Sequence, residues 1–160
     1  MTRVYVAAGS NVDPLANLPR ALEQLRKHYR LALSTAYRNR AVGFEGEDFI
    51  NLVVGFDTND SIAAVISHLH EAEAACGRPR DAAKWAPRTM DLDLLLYGDQ
   101  VSSEPNLKLP RPDLLKRPYM LRPMAELAPD HRHPIVGKTM RELWECFDGA
   151  AHLMQPVVLE

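Results

Sequence analysis

The pattern of apolar and polar positions predicts a strand and then a helix at the start of the chain. Residues 3–8 carry β-branched and aromatic side chains and predict a first strand, which ends at a Gly-Ser-Asn turn over residues 9–11. Asp13 followed by Pro14 is a helix-start signal. Leucines at helical spacing then predict a helix to about Arg30.

Two strand patterns and a second helix follow. The strands cover residues 31–38 and 49–57, with a polar, glycine-containing loop between them. The helix begins after a cap at Asp60 or Ser61 and carries an apolar stripe to Gly77, a common C-terminal stop.

An aliphatic run within residues 84–98 predicts a buried fourth strand. The resulting order of elements is typical of a ferredoxin-like βαββαβ core, an α+β fold with a four-stranded antiparallel sheet. Both helices are expected on one face of the sheet, and the other face is expected to be open. A helix over residues 119–127 and a capping box at Thr139 and Glu142 predict a C-terminal helical extension. Residues 1–160 are expected to form a single domain.

The composition argues against several classes of function. The chain has 160 residues, 46% of them hydrophobic, and a net charge of −2, which gives no general argument for nucleic acid or an acidic membrane as partner. Cys76 and Cys146 lie in apolar helical patterns and are expected to be reduced core residues. A signal peptide is not expected, and apolar runs are too short to cross a bilayer, so a cytoplasmic protein is expected.

Asp91 and Asp93 are the first candidates for chemistry. Successive side chains on a strand point to opposite faces, so the two aspartates project together. Met90, Leu92 and Leu94 face the other way. Two ionised carboxylates in apolar surroundings repel each other and are costly to bury. A hard divalent cation, Mg²⁺, is therefore their expected partner.

A basic segment precedes the aspartates. Four cations stand in it against one acid, Asp81: Arg78, Arg80, Lys84 and Arg88. A carboxylate pair or a basic run alone is weak evidence, because most of them lie in solvent. Together they indicate a site for a polyphosphate.

Three residues and one turn allow two interpretations each. The amide of Asn51 pairs either with loop backbone or with the polar edge of a heterocycle. Trp85 is either a hydrophobic anchor or a lid over a flat ligand. Glu73 lies near a helix C-terminus, where the dipole disfavours a carboxylate, and it either faces solvent or faces the basic segment. The Gly-Ser-Asn turn is either a simple tight turn or a place for an anion.

The run from Trp85 to Leu95 reads W-x-P-R-T-x-D-L-D-L-L and resembles the signature of the 6-hydroxymethyl-7,8-dihydropterin pyrophosphokinase family. The resemblance covers nearly the whole chain, including the Gly-Ser-Asn turn and the strand with Phe49 and Asn51. It implies a Mg²⁺-dependent enzyme of folate biosynthesis. Such an enzyme transfers the β,γ-pyrophosphoryl group of ATP to the pterin hydroxymethyl oxygen and releases AMP.

The same resemblance implies roles for individual residues. Asp91 and Asp93 would hold two Mg²⁺ ions that clamp the triphosphate, and Arg78 and Arg88 would act with them in catalysis. The other expected contacts of ATP are Glu73, Arg80, Trp85, Leu94, Arg111 and Arg117, with Arg88 contacting it as well. The pterin is expected to contact the rings of Phe49 and Tyr119, the amide of Asn51, and the backbone of Val42 and Gly43.

The chain departs from the family pattern in three places. Prolines are usual where it has Arg40 and Ala41, which changes the expected stiffness of the loop before Val42. Arg111 stands where a histidine is usual, and an arginine can bind phosphate but cannot act as a neutral imidazole. Lys108 stands where a smaller polar group is common.

Two other classes of function fit the chain less well. Nucleotidyltransferases combine a Gly-Ser turn with an aspartate pair on neighbouring segments, whereas most of the domain separates Gly9 from Asp91. Ferredoxin-like sheets also bind RNA through exposed aromatic residues, whereas this sheet face carries two acids. The expected partners are therefore small molecules, ATP and the dihydropterin, bound by a monomer without nucleic acid or membrane.

Overall fold

The computed structural model describes residues 1–39, 48–77, 90–147 and 154–159. The strands within these residues are β1 (Thr2–Ser10), β2 (Ala32–Leu33), β3 (Ala36–Asn39), β4 (Phe49–Thr58), β5 (Asp91–Tyr97), β6 (Ser102–Glu104), β7 (Leu107–Leu109) and β8 (Gln155–Val157). The helices are α1 (Pro14–Arg26), α2 (Ile62–Ala75), α3 (Pro118–Leu127) and α4 (Met140–Glu145), and a 3₁₀ turn spans Pro112–Leu115.

The predicted ferredoxin-like core is confirmed. Its sheet is antiparallel and runs in the order β5-β1-β4-β3-β8, with the short β2 beside β4. Strand β8 extends the four strands that were predicted, and β6 and β7 form a separate hairpin. The second predicted strand is divided at Ser34, whose hydroxyl accepts a hydrogen bond from the backbone N–H of Val53 at 2.9 Å.

One face of the sheet packs against α1 and α2. Alternate residues of β1 and β4 point into this apolar layer and are fully buried, among them Val4, Val6 and Phe56. The ring of Phe56 stacks on Tyr29, which lies just beyond α1, with 4.0 Å between the ring centroids. Successive side chains on a strand point to opposite faces. The residues buried in this layer therefore determine which residues of each strand point to the opposite face.

The opposite face is covered in part, so the expectation of an open face is wrong. Tyr5 and Val53 are buried on this face beneath the C-terminal segment. Helix α3 supplies the covering side chains, including the buried Met120 and Met124, and α4 packs against α3. An apolar sheet face left bare would be an unfavourable exposed patch. The polar side chains of this face include Asn51 of β4 and Asp91 and Asp93 of β5, around the end of β1.

The predicted start of α1 is confirmed, because the helix begins at Pro14 with Asp13 at its N-cap position, whereas the predicted end is wrong. Asp13 precedes the helix but has a left-handed backbone, with φ of 42°, and makes no side-chain capping hydrogen bond. The amide of Asn17 donates instead to the carbonyl oxygen of Val12 at 2.6 Å and ties the helix to the preceding turn. The helix ends at Arg26 and not near Arg30.

Predictions near the other helix ends have mixed outcomes. Cys76 is buried as predicted, but Cys146 is exposed because α4 ends just before it. The capping box of Thr139 and Glu142 is confirmed. Within the described ranges, no helix combines the length and the apolar character that a membrane span requires.

Ser61 is the predicted cap that begins α2, and its hydroxyl accepts a hydrogen bond from the backbone N–H of Ala64 at 3.1 Å. We expect Ser61→Ala to lower the free energy of unfolding by about 1 kcal/mol, because this N–H loses its partner. Urea denaturation of both proteins measures the difference. Ser61→Asp keeps an acceptor and is the matched control, so an equal loss in both variants would contradict the capping role.

Candidate active site

A row of positions crosses three adjacent strands at one end of the sheet. Gly9 of β1 is paired with Asp91 of β5 on one side and with Asn51 of β4 on the other. Directly opposed residues point to the same face, so Asp91 and Asn51 stand two strand spacings apart, about 10 Å. In the next row Asp93 is opposite Ala7. The residues of β1 between the carboxylates and the amide, Ala7 and Gly9, are small.

The two faces of β5 differ as predicted. Met90, Leu92 and Leu94 belong to the apolar layer beneath the helices, whereas Asp91 and Asp93 lie half-buried on the opposite face. The carboxylates are therefore held by a strand whose apolar side is fixed in the core. The side chain of Leu94 lies on the helix side of the strand, away from the aspartates. The predicted contact of Leu94 with ATP stays a prediction.

Arg111 supplies positive charge beside the aspartates. Its guanidinium Nη2 lies 3.5 Å from Oδ1 of Asp93, and its Nε lies 3.6 Å from Oδ2 of Asp113. Its backbone N–H donates to the carbonyl oxygen of Leu95 at 2.9 Å, which ties the segment after β7 to β5. The departure from the family pattern at Arg111 therefore places a permanent cation next to the predicted metal ligands.

Glu73, near the end of α2, faces the aspartate strand. Its Oε2 accepts a hydrogen bond from the backbone N–H of Leu92 at 3.2 Å. Burial raises the pKa of its carboxyl, and the negative charges of Asp91 and Asp93 add to this effect, although the hydrogen bond from Leu92 opposes it. Of the two interpretations of Glu73, exposure to solvent is excluded. Its approach to the basic segment falls on residues outside the described ranges.

Asn51 has a side-chain partner that neither interpretation anticipated. Its Oδ1 accepts a hydrogen bond from Nδ2 of Asn39 at 2.9 Å, so the amide nitrogen of Asn51 lies over Gly9. A Cβ added at Gly9 would overlap that nitrogen. The sequence pattern identified Asn51 but not Asn39 as part of the site, although the pairing of β3 with β4 places the two side chains on one face once the strand register is known.

Tyr119 and Arg117 lie at the start of α3. Burial raises the pKa of the Tyr119 phenol; the positive charges of Arg117 and Arg111 oppose this effect, and the negative charges of Asp113 and Asp93 add to it. Arg117 is exposed at the N-terminus of the helix. Phe49 begins β4 on the face of Asn51. A pterin held between the rings of Phe49 and Tyr119 stays a prediction.

Six predicted site residues lie outside the described ranges. They are Val42, Gly43, Arg78, Arg80, Trp85 and Arg88. The departures at Arg40 and Ala41 and the basic segment as a whole also lie there.

The fold and the half-buried carboxylates beside an arginine define a candidate phosphoryl-transfer enzyme. The family model described as 7,8-dihydro-6-hydroxymethylpterin-pyrophosphokinase (HPPK) matches residues 5–129. The chain is 35% identical to 2-amino-4-hydroxy-6-hydroxymethyldihydropteridine pyrophosphokinase of Aquifex aeolicus, over 89% of this chain and 90% of that protein. It is 39% identical to the protein of the same name from Pseudomonas aeruginosa, over 82% and 84%. The chain belongs to the HPPK family, and the predicted family and its pyrophosphokinase function in folate biosynthesis are confirmed.

Solved structures share the fold. A crystal structure of an HPPK-DHPS in complex with substrates has a TM-score of 0.72 at 10% identity, covering 91% of this chain and 45% of that one. An HPPK-DHPS of Plasmodium falciparum has a TM-score of 0.71 at 13% identity, covering 90% and 44%. The chain spans less than half the length of these proteins. At such low identity the likeness concerns the fold alone.

Glu73→Gln tests the raised pKa of this carboxyl in metal-free buffer. The folded protein binds more protons than the unfolded chain between the ordinary pKa of 4.5 and the raised value, so Glu73 lowers stability as the pH rises through that window. We expect the variant to be more stable than the wild type at neutral pH, and to lose this advantage below the ordinary pKa. The effect is modest because the carboxyl is only half-buried.

Urea denaturation across this pH range measures the difference between wild type and Glu73→Gln. Glu23→Gln, which changes an exposed carboxylate on α1, is the matched control. A Glu73→Gln difference that is the same at every pH would contradict the raised pKa.

Proposed function

We propose that the chain transfers the β,γ-pyrophosphoryl group of ATP to the hydroxymethyl oxygen of 6-hydroxymethyl-7,8-dihydropterin and releases AMP. The row of Asp91, Gly9 and Asn51 carries the proposal. In this row the carboxylate of Asp91 lies two strand spacings from the amide of Asn51. The carboxylate suits the cations that accompany a triphosphate, and the amide suits the polar edge of a heterocycle. Membership in the HPPK family supports placing the two substrates at the two ends of this row.

Mg²⁺ is the cation that fits the carboxylates. Asp91 and Asp93 offer oxygen ligands on one side of a strand, and hard oxygen ligands suit Mg²⁺ better than softer transition ions. Two ions are proposed because the family resemblance implies two. When bound, they supply charge neutralisation for the triphosphate and alignment of its reacting oxygens.

The pterin is proposed to lie between Phe49 of β4 and Tyr119 of α3. The Tyr119 side chain is neutral at physiological pH, as a phenol ordinarily is, and burial raises its pKa further, so it offers an aromatic face and an O–H donor. Asn51, held by its hydrogen bond from Asn39, binds the polar edge of the ring. Backbone contacts from Val42 and Gly43 are part of the same proposal.

Arginines are proposed to bind the triphosphate. Their planar forks pair with phosphate oxygens at two points and keep their charge at any physiological pH. Arg111 lies within ion-pair distance of Asp93, so a phosphate held by it would also lie near the metal ligands. The remaining contacts proposed for ATP are Arg117, Arg78, Arg88, Arg80, Trp85, Glu73 and Leu94.

In the proposed reaction the hydroxymethyl oxygen forms a bond to the β-phosphorus of ATP. The bond between that phosphorus and the oxygen of the α-phosphate breaks, AMP leaves with this oxygen, and the hydroxyl proton is released. Holding both substrates in line and stabilising charge on the transferred phosphates supply the catalysis.

The products decide between the reaction classes. The protein is incubated with Mg²⁺, ATP and reduced hydroxymethylpterin, and the nucleotide product is separated by chromatography. AMP and a pterin diphosphate are the expected products. ADP would indicate a simple kinase and free pyrophosphate a nucleotidyltransferase, and either result would overturn the proposal. An absence of turnover would also overturn it.

The remaining parts of the proposal concern the domain organisation, oligomeric state, location and partners of the enzyme. We propose that residues 1–160 act as one catalytic domain, as a monomer in the cytoplasm, with small molecules as partners and without nucleic acid. Sedimentation of the purified protein with and without its substrates tests the monomer, which a stable dimer at working concentration would contradict.

A further inference from the structure

A cluster of two histidines and one glutamate joins the two helices on the side of the sheet away from the aspartates. His28 lies just beyond α1, and His68 and Glu71 lie one turn apart on α2. Among the described residues, this interhelical cluster (His28, His68 and Glu71) is the one group of three whose ligand atoms all lie within 4.8 Å of one another. The proposed catalytic site uses none of the three.

The distances in the interhelical cluster fit a tetrahedral metal ion. Oε2 of Glu71 lies 3.3 Å from Nδ1 of His68 and 3.7 Å from Nε2 of His28. Metal–ligand bonds of about 2.0–2.1 Å at tetrahedral angles set neighbouring ligand atoms about 3.3 Å apart. The imidazole rings are stacked, with centroids 3.6 Å apart and planes at 25°. Because stacked rings hold their nitrogen lone pairs in nearly parallel planes, metal binding requires one ring to turn about χ2, a broad torsion in histidine, until its lone pair points at the ion beside the carboxylate.

A second carboxylate supports the outer side of the cluster. Nε2 of His68, the nitrogen that does not face Glu71, lies 3.8 Å from Oδ2 of Asp60. That oxygen accepts a hydrogen bond from the hydroxyl of Tyr29 at 2.7 Å, and the Tyr29 ring stacks on the buried Phe56. A carboxylate behind a histidine fixes the tautomer and raises the basicity of the nitrogen that binds a metal. The support is independent of the three ligand atoms and is anchored in the core.

We propose that the interhelical cluster is a structural site for a divalent transition-metal ion of the zinc class. His28 Nε2, His68 Nδ1 and Glu71 Oε2 supply three ligands, and water completes the tetrahedron. Imidazole nitrogens favour zinc-class ions, whereas the all-oxygen aspartate pair favours Mg²⁺, so the two sites select different metals. An ion here links the segment after α1 to the middle of α2 and stabilises the helical layer behind the sheet.

Zinc titration of the full-length protein tests the site. Chelator-treated protein is titrated with Zn²⁺ against a chromophoric competitor, in excess Mg²⁺ so that the aspartate pair is not counted. We expect one Zn²⁺ per chain and a rise in melting temperature with zinc, because an ion that binds only the folded state stabilises it. His28→Ala and His68→Ala are each expected to weaken zinc binding at least about tenfold and to abolish the thermal shift.

His70→Ala is the matched control, because it removes an exposed histidine from the same helix, two positions from His68. It is expected to keep both the zinc stoichiometry and the thermal shift, as is Asp93→Ala. Absence of zinc binding in excess Mg²⁺ would overturn the proposal. So would zinc binding that survives in both His28→Ala and His68→Ala, or that is lost equally in His70→Ala or in Asp93→Ala.

Discussion

Asp93→Ala is expected to lower turnover at least about 10³-fold while the chain remains folded. Metal-ion charge stabilisation contributes several kcal/mol to transition states of this kind, and each 1.36 kcal/mol is about a factor of ten in rate. Removing one of two carboxylates that share a strand face weakens metal binding without touching the core layer on the other face. The measurement is AMP formation at saturating ATP and Mg²⁺, with circular dichroism and urea denaturation to follow the fold.

The stability of Asp93→Ala separates a functional role from a structural one. The variant loses the half-exposed ion pair between Asp93 and Arg111, and such pairs contribute about 0–1 kcal/mol. It also loses repulsion between Asp93 and the neighbouring acids Asp91 and Glu73. These effects oppose each other, so the free energy of unfolding is expected to change little while the rate falls steeply.

Asp57→Ala is the matched control for this prediction. Asp57 is also a strand carboxylate with an arginine partner, Arg3, at 3.5 Å, but it lies exposed at the far end of β4. Turnover of this variant is expected to match the wild type. Near-normal turnover in Asp93→Ala, or equal losses in both variants, would contradict the assignment of Asp93 as a metal ligand.

The core elements were predictable because their signals are local. Val4 and Val6 alternate with Tyr5 along β1, and this period of two is a property of the strand itself. The same period separates Asp91 and Asp93 from Leu92 and Leu94 of β5. It therefore also predicted that the two carboxylates would share one face.

The covering of the second face could not be predicted in this way. The apolar stripe of α3 indicates a buried side, but the pattern does not say which surface buries it. The docking of Met120 and Met124 against the sheet depends on contacts between segments far apart in the chain. At the start of α1 the local signal of Asp13 and Pro14 located the helix correctly, but it did not show that the side chain of Asn17, and not that of Asp13, ties the turn to the helix.

The side-chain partners of the site residues could be predicted only with knowledge of the strand register. Sequence analysis identified Asn51 and Arg111 as residue types suited to a pterin edge and to phosphate. It could not show that Asn39 holds the first amide or that Asp93 faces the second side chain. The residue roles therefore stay predictions from family resemblance, whereas the contacts that orient the side chains follow from the fold.

Asn51→Ala is expected to raise the KM for the dihydropterin about 10²-fold, with a much smaller change in the KM for ATP. A site built to hydrogen-bond a heterocycle leaves polar groups of the ligand unpaired when its partner is removed, which costs about 1–3 kcal/mol for each group. The alanine also removes the shorter of the two hydrogen bonds that Nδ2 of Asn39 donates and leaves the one to the carbonyl oxygen of Tyr37 at 3.5 Å. Steady-state kinetics with each substrate varied in turn separate the two constants.

Gly9→Ala reaches the same amide from the neighbouring strand. The new methyl group would overlap Nδ2 of Asn51, so the amide must move away from the ring edge it is proposed to bind. The KM for the pterin should rise, as it should in Asn51→Ala. The double variant should be little worse than Asn51→Ala, because both changes act through one group.

Gly55→Ala is the control, since its methyl group would meet Tyr5 and Arg3 and not the row of Asp91, Gly9 and Asn51. If Gly9→Ala and Asn51→Ala multiplied their effects, or if both raised the KM for ATP equally, Asn51 would not be the residue that reads the pterin.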